Sequence, residues 1–156
     1  MFAVEPMAPT LTKPFHRPGW VYEEKVDGWR MVAYKTNGAV RLISRNGIDH
    51  TARFRAIAAV IMETDCPSMV LDGEVAVYDD KLVSRFDLLR DLDASIVTTP
   101  PLFMVFDMLH ARGRDLRKRP LGDRRQCLER ELNGAELVLP GPPSGRRRAQ
   151  GVAAGA

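Results

Sequence analysis

Cysteine, histidine and long apolar runs are all scarce in this sequence, and each scarcity excludes a class of protein. The two cysteines, Cys66 and Cys127, form no CxxC pair, which argues against a zinc site or a disulfide scaffold. We expect both to be reduced thiols. No apolar run approaches the roughly 20 residues of a membrane span, and residues 1–12 lack a signal-peptide pattern, so a cytoplasmic location is expected. The histidines have no ligand spacing and are interpreted as structural or surface residues: His16, His50 and His110.

The bulk composition is that of an ordinary globular domain. The chain has 156 residues, of which 45% are hydrophobic and 28% charged, and this length suits one compact domain. The formal net charge of +3 favours a polyanion partner only weakly, because many basic proteins bind no nucleic acid.

Three segments differ in composition. Residues 1–19 are rich in proline and are expected to form an extended arm. Residues 20–139 alternate apolar and polar residues as a folded domain does. Residues 140–156 contain mainly Pro, Gly, Ala and Arg, with Val152 as the single bulky apolar residue. This tail cannot bury enough surface to offset the entropy of ordering it, so we expect it to be disordered.

The pattern between the arm and the tail predicts an α+β domain of mostly antiparallel strands with helices packed outside. Apolar alternation predicts strands at 20–25, 30–35, 40–44, 68–78, 81–83 and 102–109. Helical spacing predicts helices at 51–63, 84–92 and 120–132. Turns are expected at Gly28, at Asn37-Gly38 and at Asp72-Gly73-Glu74, which would interrupt its strand. Asp49 or Thr51 is predicted to cap the start of the helix at 51–63, and Gly134 to end the helix at 120–132. The side chains predicted to point inward are Phe86 and Leu89 in the second helix, and Leu121, Cys127 or Leu128, and Leu132 in the third.

The run from Glu23 to Arg30 holds the residue best suited to covalent chemistry, Lys25. A lysine with its free pKa of about 10.4 must lose its proton before it can attack phosphorus. In a β-type run, Glu23, Lys25 and Asp27 would share one face, and Gly28 would let Arg30 return on the next strand. Such a group suits a nucleotide pocket. For this motif alone, the alternative is a solvent-facing hairpin with salt-bridged charges.

Five further runs accompany the Lys-x-Asp-Gly-x-Arg pattern. They are Pro6-Met7-Ala8-Pro9-Thr10-Leu11, Ser44-Arg45-Asn46-Gly47, Val70-Leu71-Asp72-Gly73-Glu74, Leu102 to Asp107, and Leu116 to Arg125. Over roughly residues 5–132 the chain resembles the covalent nucleotidyltransferases, and above all an ATP-dependent DNA ligase of the bacterial repair type. The resemblance implies an ATP-grasp-like adenylation domain. It also implies attack on the α-phosphate of ATP, giving a lysyl-AMP used to seal DNA during repair and recombination.

Matching positions imply a role for each motif residue. Lys25 would be the nucleophile, and Glu23 would accept a hydrogen bond from the adenine amino group. Arg30 and Glu74 would hold the ribose hydroxyls, and Glu74 would also help to position Mg²⁺. Arg45 would contact the sugar-phosphate, and Phe106 would stack on adenine. Asp27 is expected to order its loop and not to react.

Several of these assignments keep a structural alternative. Phe106 lies in an apolar strand and could belong to the core, Glu74 could be a turn residue, and Arg45 could be a surface charge. Asp107 is expected to cap or pair locally. The basic stretch from Arg112 to Arg125 would either follow a DNA backbone or form a solvated helix face.

The family pattern stops before it is complete. Ligases of this type continue with a Glu-Gly strand, a Lys-x-Lys strand and a small β-barrel, and nothing after Leu132 resembles them. We therefore expect a truncated or frameshifted chain with low stability and little nick sealing. The alternatives are an inactive nucleotide-binding fragment, or an RNA ligase or capping-type enzyme. Nicked or broken duplex DNA is the expected partner of a monomer that acts at the bacterial nucleoid.

Overall fold

The computed structural model describes residues 4–7, 10–13, 18, 22–23, 25–36, 38–90, 99–141 and 143–144. Eight strands, two α-helices and one 3-10 helix lie within them. The strands are β1 (Tyr22–Glu23), β2 (Trp29–Thr36), β3 (Ala39–Ser44), β4 (Met69–Ala76), β5 (Leu102–Ala111), β6 (Arg114–Asp115), β7 (Val138–Pro140) and β8 (Pro143–Ser144). The helices are α1 (Arg55–Glu63), α2 (Leu121–Glu131) and the 3-10 helix Asp87–Leu89.

Six of the strands form one sheet in the order β3-β2-β4-β5-β6, with β7 also pairing with β5. Every neighbouring pair is antiparallel except β5 with β7, which is parallel. A separate two-stranded sheet joins β1 to β8. The predicted class, mostly antiparallel strands with packed helices, agrees with this architecture, and β5 is central as expected.

Alternation along the strands gives the large sheet two chemically different faces. Met31 and Ala33 of β2 are fully buried in the main core, which includes Leu128 of α2 and Ile57 of α1. The residues between them point to the opposite face, because successive side chains of a strand alternate. No α-helix of the described residues contributes to the small second cluster on that opposite face.

The opposite face carries only a small apolar cluster. Val32, Val70 and Leu109 are buried there, and Val4 of the N-terminal arm packs against them. The backbone N–H of Val4 donates to the Tyr34 hydroxyl at 2.9 Å. Arg30, Asp72 and Glu74 lie on this same face by strand alternation, and it is the face that bears the candidate site.

Glycine is required where the strands approach one another most closely. A Cβ on Gly73 of β4 would lie 2.4 Å from the carbonyl oxygen of Met104 and 2.7 Å from the ring of Phe103. A Cβ on Gly28 would lie 2.2 Å from the Val75 carbonyl oxygen. Both motif glycines therefore allow backbone contacts that no other residue fits.

A buried lysine caps the C-terminal end of α1. Lys35 is 5% exposed, and its Nζ donates to the carbonyls of Met62 at 2.8 Å and Thr64 at 2.7 Å. The last carbonyls of a helix lack intrahelical partners and carry partial negative charge. The Lys35 ammonium group supplies both the missing hydrogen-bond donors and a compensating positive charge. The contact also ties α1 to β2.

Several local predictions are wrong. The strand β4 runs without interruption through Asp72-Gly73-Glu74, and the irregularity is instead a shift in its register against β5. No strand covers residues 81–83, where Leu82 has a positive φ of 57°. In place of the predicted helix at 84–92, the described residues contain only the 3-10 helix; residues 91–92 lie outside them.

The predicted caps and inward residues are only partly correct. The N-cap of α1 is Phe54, because Asp49 and Thr51 bond to each other in a preceding turn. Phe86 is 48% exposed and Leu121 is 44% exposed, contrary to the helical patterns drawn for them. The patterns are confirmed at three positions: Leu89, Leu128 and Leu132 are buried.

The tail begins with structure rather than without it. Pro140 ends β7, and Pro143–Ser144 pairs with β1. The prediction of disorder from residue 140 onward is therefore wrong for the part of the tail that the structure describes; residues 142 and 145–156 lie outside it. Strand pairing supplies the backbone partners that the composition did not suggest.

Replacing Gly73 by alanine should destabilise the fold. The added methyl group would collide with backbone and an aromatic ring, so we expect the free energy of unfolding to fall by about 1–3 kcal/mol. Gly122→Ala on α2 is the matched control, since nothing lies within 4 Å of its Cβ position. Urea unfolding of both variants measures the difference. Equal stability of the two variants would contradict the close approach at β4.

Candidate active site

Lys25 lies in the connection between β1 and β2, and not on a strand. The backbone from Lys25 to Asp27 is irregular, so the prediction that Glu23, Lys25 and Asp27 share one strand face is wrong. The Lys25 side chain is 87% exposed, and its Nζ lies 3.9 Å from the Asp27 carboxylate. The ammonium group thus stands in solvent at the edge of the sheet.

Two side chains fix the backbone of this loop. The N–H of Asp27 donates to Ser84 Oγ at 2.9 Å, and the N–H of Gly28 donates to Glu74 Oε1 at 3.0 Å. Ser84 comes from the segment after β4, and Glu74 from β4 itself. The loop that carries Lys25 is consequently held by β4 and by the segment that follows it.

Arg30 is the centre of the polar face. Its Nε and Nη2 donate to the two oxygens of Asp72 at 2.7 and 2.8 Å, a bidentate pair. The guanidinium carbon also lies 4.6 Å from the centre of the Phe106 ring. Asp72 is only 6% exposed, so its charge depends on this partner. Phe106 is half-buried at the site, and the alternative that it is a fully buried core residue is not what the structure shows.

Glu74 stands beside Arg30. The two residues are direct partners in the register of β2 and β4. Burial raises the pKa of Glu74 above its ordinary value, while the Gly28 N–H and the nearby charges of Arg30 and Lys25 act in the opposite direction. A partly desolvated carboxylate next to an arginine is the kind of perturbed group that marks functional sites.

Glu23 is held from α2. It forms an ion pair with Arg125, Oε1 to Nη2 at 2.9 Å, and the same arginine donates to the Phe106 carbonyl at 3.1 Å. One side chain therefore links the two residues predicted to contact the base.

Arg45 lies apart from these groups. It occupies the exposed turn after β3 and lines a surface cleft of about 410 Å³ with Asn46 and the arm residues Glu5, Pro6 and Met7. The structure therefore brings together Arg30, Glu74 and Phe106 and joins the Lys25 loop to Glu74. Glu23 is connected to Phe106 through Arg125, and Arg45 lies apart in its own cleft.

The arginines after β5 are largely compensated by acids elsewhere in the chain. Arg124 forms a bidentate pair with Asp107 at 2.7 and 2.9 Å, which agrees with the expected local pairing of that aspartate. Arg112 pairs with the buried Glu131 at 2.8 Å. These guanidinium groups have structural partners, so the stretch is less free for DNA than its charge suggested.

Three contributors were missed by sequence reasoning: Asp72, Ser84 and Arg125. Asp72 had a usable signal, because it lies two residues before Glu74 on one strand and must share its face. Ser84 and Arg125 had none, since only tertiary folding brings them to the site.

The described residues do not by themselves form a metal centre. Among them, no group of three or more His, Cys, Asp or Glu side chains could hold an ion. Glu74 is one carboxylate, and its Oε1 already accepts from Gly28. This donor set fits only a Mg²⁺ ion held mainly by water and by the phosphates of a nucleotide.

The family follows from comparison with known proteins. The family model described as "ATP dependent DNA ligase domain" matches residues 3–139, and the chain belongs to this family. Among individual relatives, it is 36% identical over 121 residues to the multifunctional non-homologous end joining DNA repair protein LigD of Mycobacterium tuberculosis. A DNA ligase of Methanoculleus marisnigri is 33% identical over 137 residues.

Solved structures agree. The ligase domain of M. tuberculosis LigD matches with a TM-score of 0.67 and 33% identity, over 80% of this chain and 39% of that one. A mycobacterial DNA ligase D complexed with ATP and MES matches with a TM-score of 0.65 and 34% identity, over 80% of this chain and 40% of that one.

The matches cover most of this chain but little of the relatives. The M. tuberculosis protein is matched over 78% of this chain and 16% of its own length, and the M. marisnigri ligase over 83% and 25%. Among the described residues, no helix is long and apolar enough to cross a membrane.

Replacing Glu74 by glutamine should change how stability depends on pH. Because the folded pKa of Glu74 is raised, the folded state holds its proton where the unfolded chain has lost it. The contribution of Glu74 to stability therefore falls as pH rises through the window above its ordinary pKa. We expect Glu74→Gln to gain stability relative to the parent chain as pH rises above the ordinary glutamate pKa of about 4.3.

Urea unfolding across that pH range measures this effect. Glu129→Gln, at an exposed position of α2, controls for the loss of one carboxylate. A stability difference for Glu74→Gln that does not vary with pH would show that burial does not govern this group.

Proposed function

We propose that this chain is the nucleotide-facing part of the adenylation domain of an ATP-dependent DNA ligase. The observation that carries the proposal is the cluster of Arg30, Glu74 and Phe106 on the open face of the sheet, with the Lys25 loop hydrogen-bonded to Glu74. The chain's membership of the ligase family and its likeness to a ligase solved with ATP support the same conclusion. The fold proposed for residues 20–139 is an ATP-grasp-like nucleotidyltransferase domain.

The reaction proposed for Lys25 is a phosphoryl transfer. After its ammonium loses a proton to solvent, Nζ attacks the α-phosphorus of ATP and a P–N bond forms, and the nitrogen then gives up a second proton to solvent. The bond between the α-phosphorus and the bridging oxygen breaks, and pyrophosphate leaves with the electron pair. The exposure of Lys25 gives the amine direct access to a nucleotide on the sheet face.

The remaining residues would bind the nucleotide. Glu23 would accept from the adenine amino group, and Phe106 would stack on the base through the ring face that Arg30 leaves open. Arg30 and Glu74 would hold the ribose hydroxyls from adjacent strands. Arg45 would meet the sugar-phosphate from its neighbouring turn. Mg²⁺ would neutralise phosphate charge and would be held chiefly by the phosphates, with Glu74 as the contribution of this chain.

The wider activity is proposed from the relatives. A non-homologous end joining protein and a DNA ligase share this segment, so nicked or broken duplex DNA is the proposed substrate of the whole enzyme. We place that enzyme, acting as a monomer, at the nucleoid of a bacterial cytoplasm.

One observation favours a second candidate, a nucleotide-binding fragment that does not form the covalent intermediate. Within the described residues, Asp27 is the one acid in an ion pair with Lys25, and the Lys25 side chain is 87% exposed, outside any enclosed pocket. Phosphoryl transfer also needs cations to stabilise the phosphate charge, and of the residues assigned to this site only Arg30 and Arg45 are cations other than the nucleophile.

Incubation with α-labelled ATP and Mg²⁺ should transfer label to the protein. We expect a labelled band on a denaturing gel, and its complete loss in Lys25→Ala, because no other described amine lies in the motif. Lys118→Ala, an exposed lysine of the loop before α2, is the control and should retain the label.

The other outcomes separate the alternatives. ATP binding without label would support the fragment, whereas label from GTP in preference to ATP would support a capping-type enzyme. Label that persists in Lys25→Ala would refute the assignment of the nucleophile.

A further inference from the structure

We infer that Arg125 is a positioning residue that sets the preference of the site for adenine. This inference rests on the proposed function, because it concerns how the same site reads its base. It removes Arg125 from the basic stretch interpreted as a DNA-backbone contact.

The Arg125 side chain is largely buried and contacts three separate parts of the fold. Its side chain projects from α2 and is 12% exposed. It reaches Glu23 Oε1 at 2.9 Å, the Phe106 carbonyl at 3.1 Å and the Gly141 carbonyl at 2.5 Å. These acceptors belong to β1, to β5 and to the residue after β7. A side chain so enclosed has little surface left for a DNA phosphate.

The geometry requires arginine. A guanidinium offers five N–H donors in a planar fork, so one group can satisfy acceptors that lie in several directions. A lysine ammonium is a compact point charge on a flexible stem and has a different donor geometry. Burial of the cation is offset by the Glu23 carboxylate and two carbonyl dipoles.

The contacts of Arg125 fix both sides of the proposed base pocket. Its ion pair with Glu23 lies at Oε1, which leaves Oε2 as an acceptor. Its bond to the Phe106 carbonyl holds the backbone that carries the stacking ring. Adenine presents an amino donor to such an acceptor, whereas guanine presents a carbonyl oxygen that the carboxylate repels.

The neighbouring arginine shows that this role is specific to one position. Arg124 lies next to Arg125 on α2 but pairs with Asp107 and the Arg119 carbonyl, and within the described part of the chain it forms no hydrogen bond or ion pair with Glu23 or Phe106. The two residues therefore anchor α2 to different parts of the sheet face.

The test is the preference for ATP over GTP, measured on the full chain by equilibrium dialysis with each labelled nucleotide. We expect Arg125→Gln to reduce the ATP-to-GTP affinity ratio by about tenfold or more, because the Glu23 carboxylate loses the cation that positions it. Arg125→Lys should recover only part of the ratio. Arg130→Gln, an exposed arginine on the same helix, should leave the ratio unchanged.

A second variant keeps the inference testable if Arg125→Gln fails to fold, which circular dichroism would reveal. Glu23→Gln removes the partner from the other side and should reduce the same ratio. Combined with Arg125→Lys, it should cause a loss smaller than the sum of the two single losses, because Arg125 acts partly through Glu23. Additive losses, or an unchanged ratio in the folded Arg125 variants, would overturn the inference while leaving the proposed function intact. A parent chain without preference for ATP would overturn both.

Discussion

The register between β2 and β4 is the constraint on which the rest of the structure depends. It sets Arg30 opposite Glu74 and Val32 opposite Asp72, and it sends Met31 and Ala33 into the core. A slip by one residue would exchange the two faces of the strand, placing charges under the helices and apolar side chains in the site. The helices and the nucleotide-facing groups are therefore specified by the same pairing. Gly28 permits the close approach of the loop before β2 to Val75 of β4, and Gly73 permits the approach of β4 to β5.

Charge neutralisation on the polar face follows from that register. Asp72 of β4 and Asp107 of β5 are direct partners, and two carboxylates so placed would repel each other if left uncompensated. Each is instead met by its own arginine in a bidentate pair, Arg30 from β2 and Arg124 from α2. Arg30 in turn lies over Phe106. The cluster thus works as one unit, and a change at any member alters the charge that the others experience.

The agreement between sequence and structure is uneven for physical reasons. The strands β2, β3 and β5 and the helix α2 were predictable because their apolar spacing is regular and their ends carry glycine or proline. The bend at Asp72-Gly73-Glu74 was wrongly predicted because glycine usually breaks a strand, whereas here it admits the neighbouring backbone. Phe86 and Leu121 fitted helical patterns but are exposed. Apolar spacing shows which residues would share one face of a helix, but it does not show whether another element packs against that face.

The sequence by itself determined the family and the identity of most motif residues, because their chemistry and order do not depend on geometry. It also determined the alternation that gives the sheet its two faces. Only the tertiary structure decided that Lys25 lies in an exposed loop, that Ser84 and Glu74 hold that loop, and that Arg125 connects Glu23 to Phe106. These contacts join residues that lie 19 or more positions apart in the chain, and nothing local in the chain encodes such pairings.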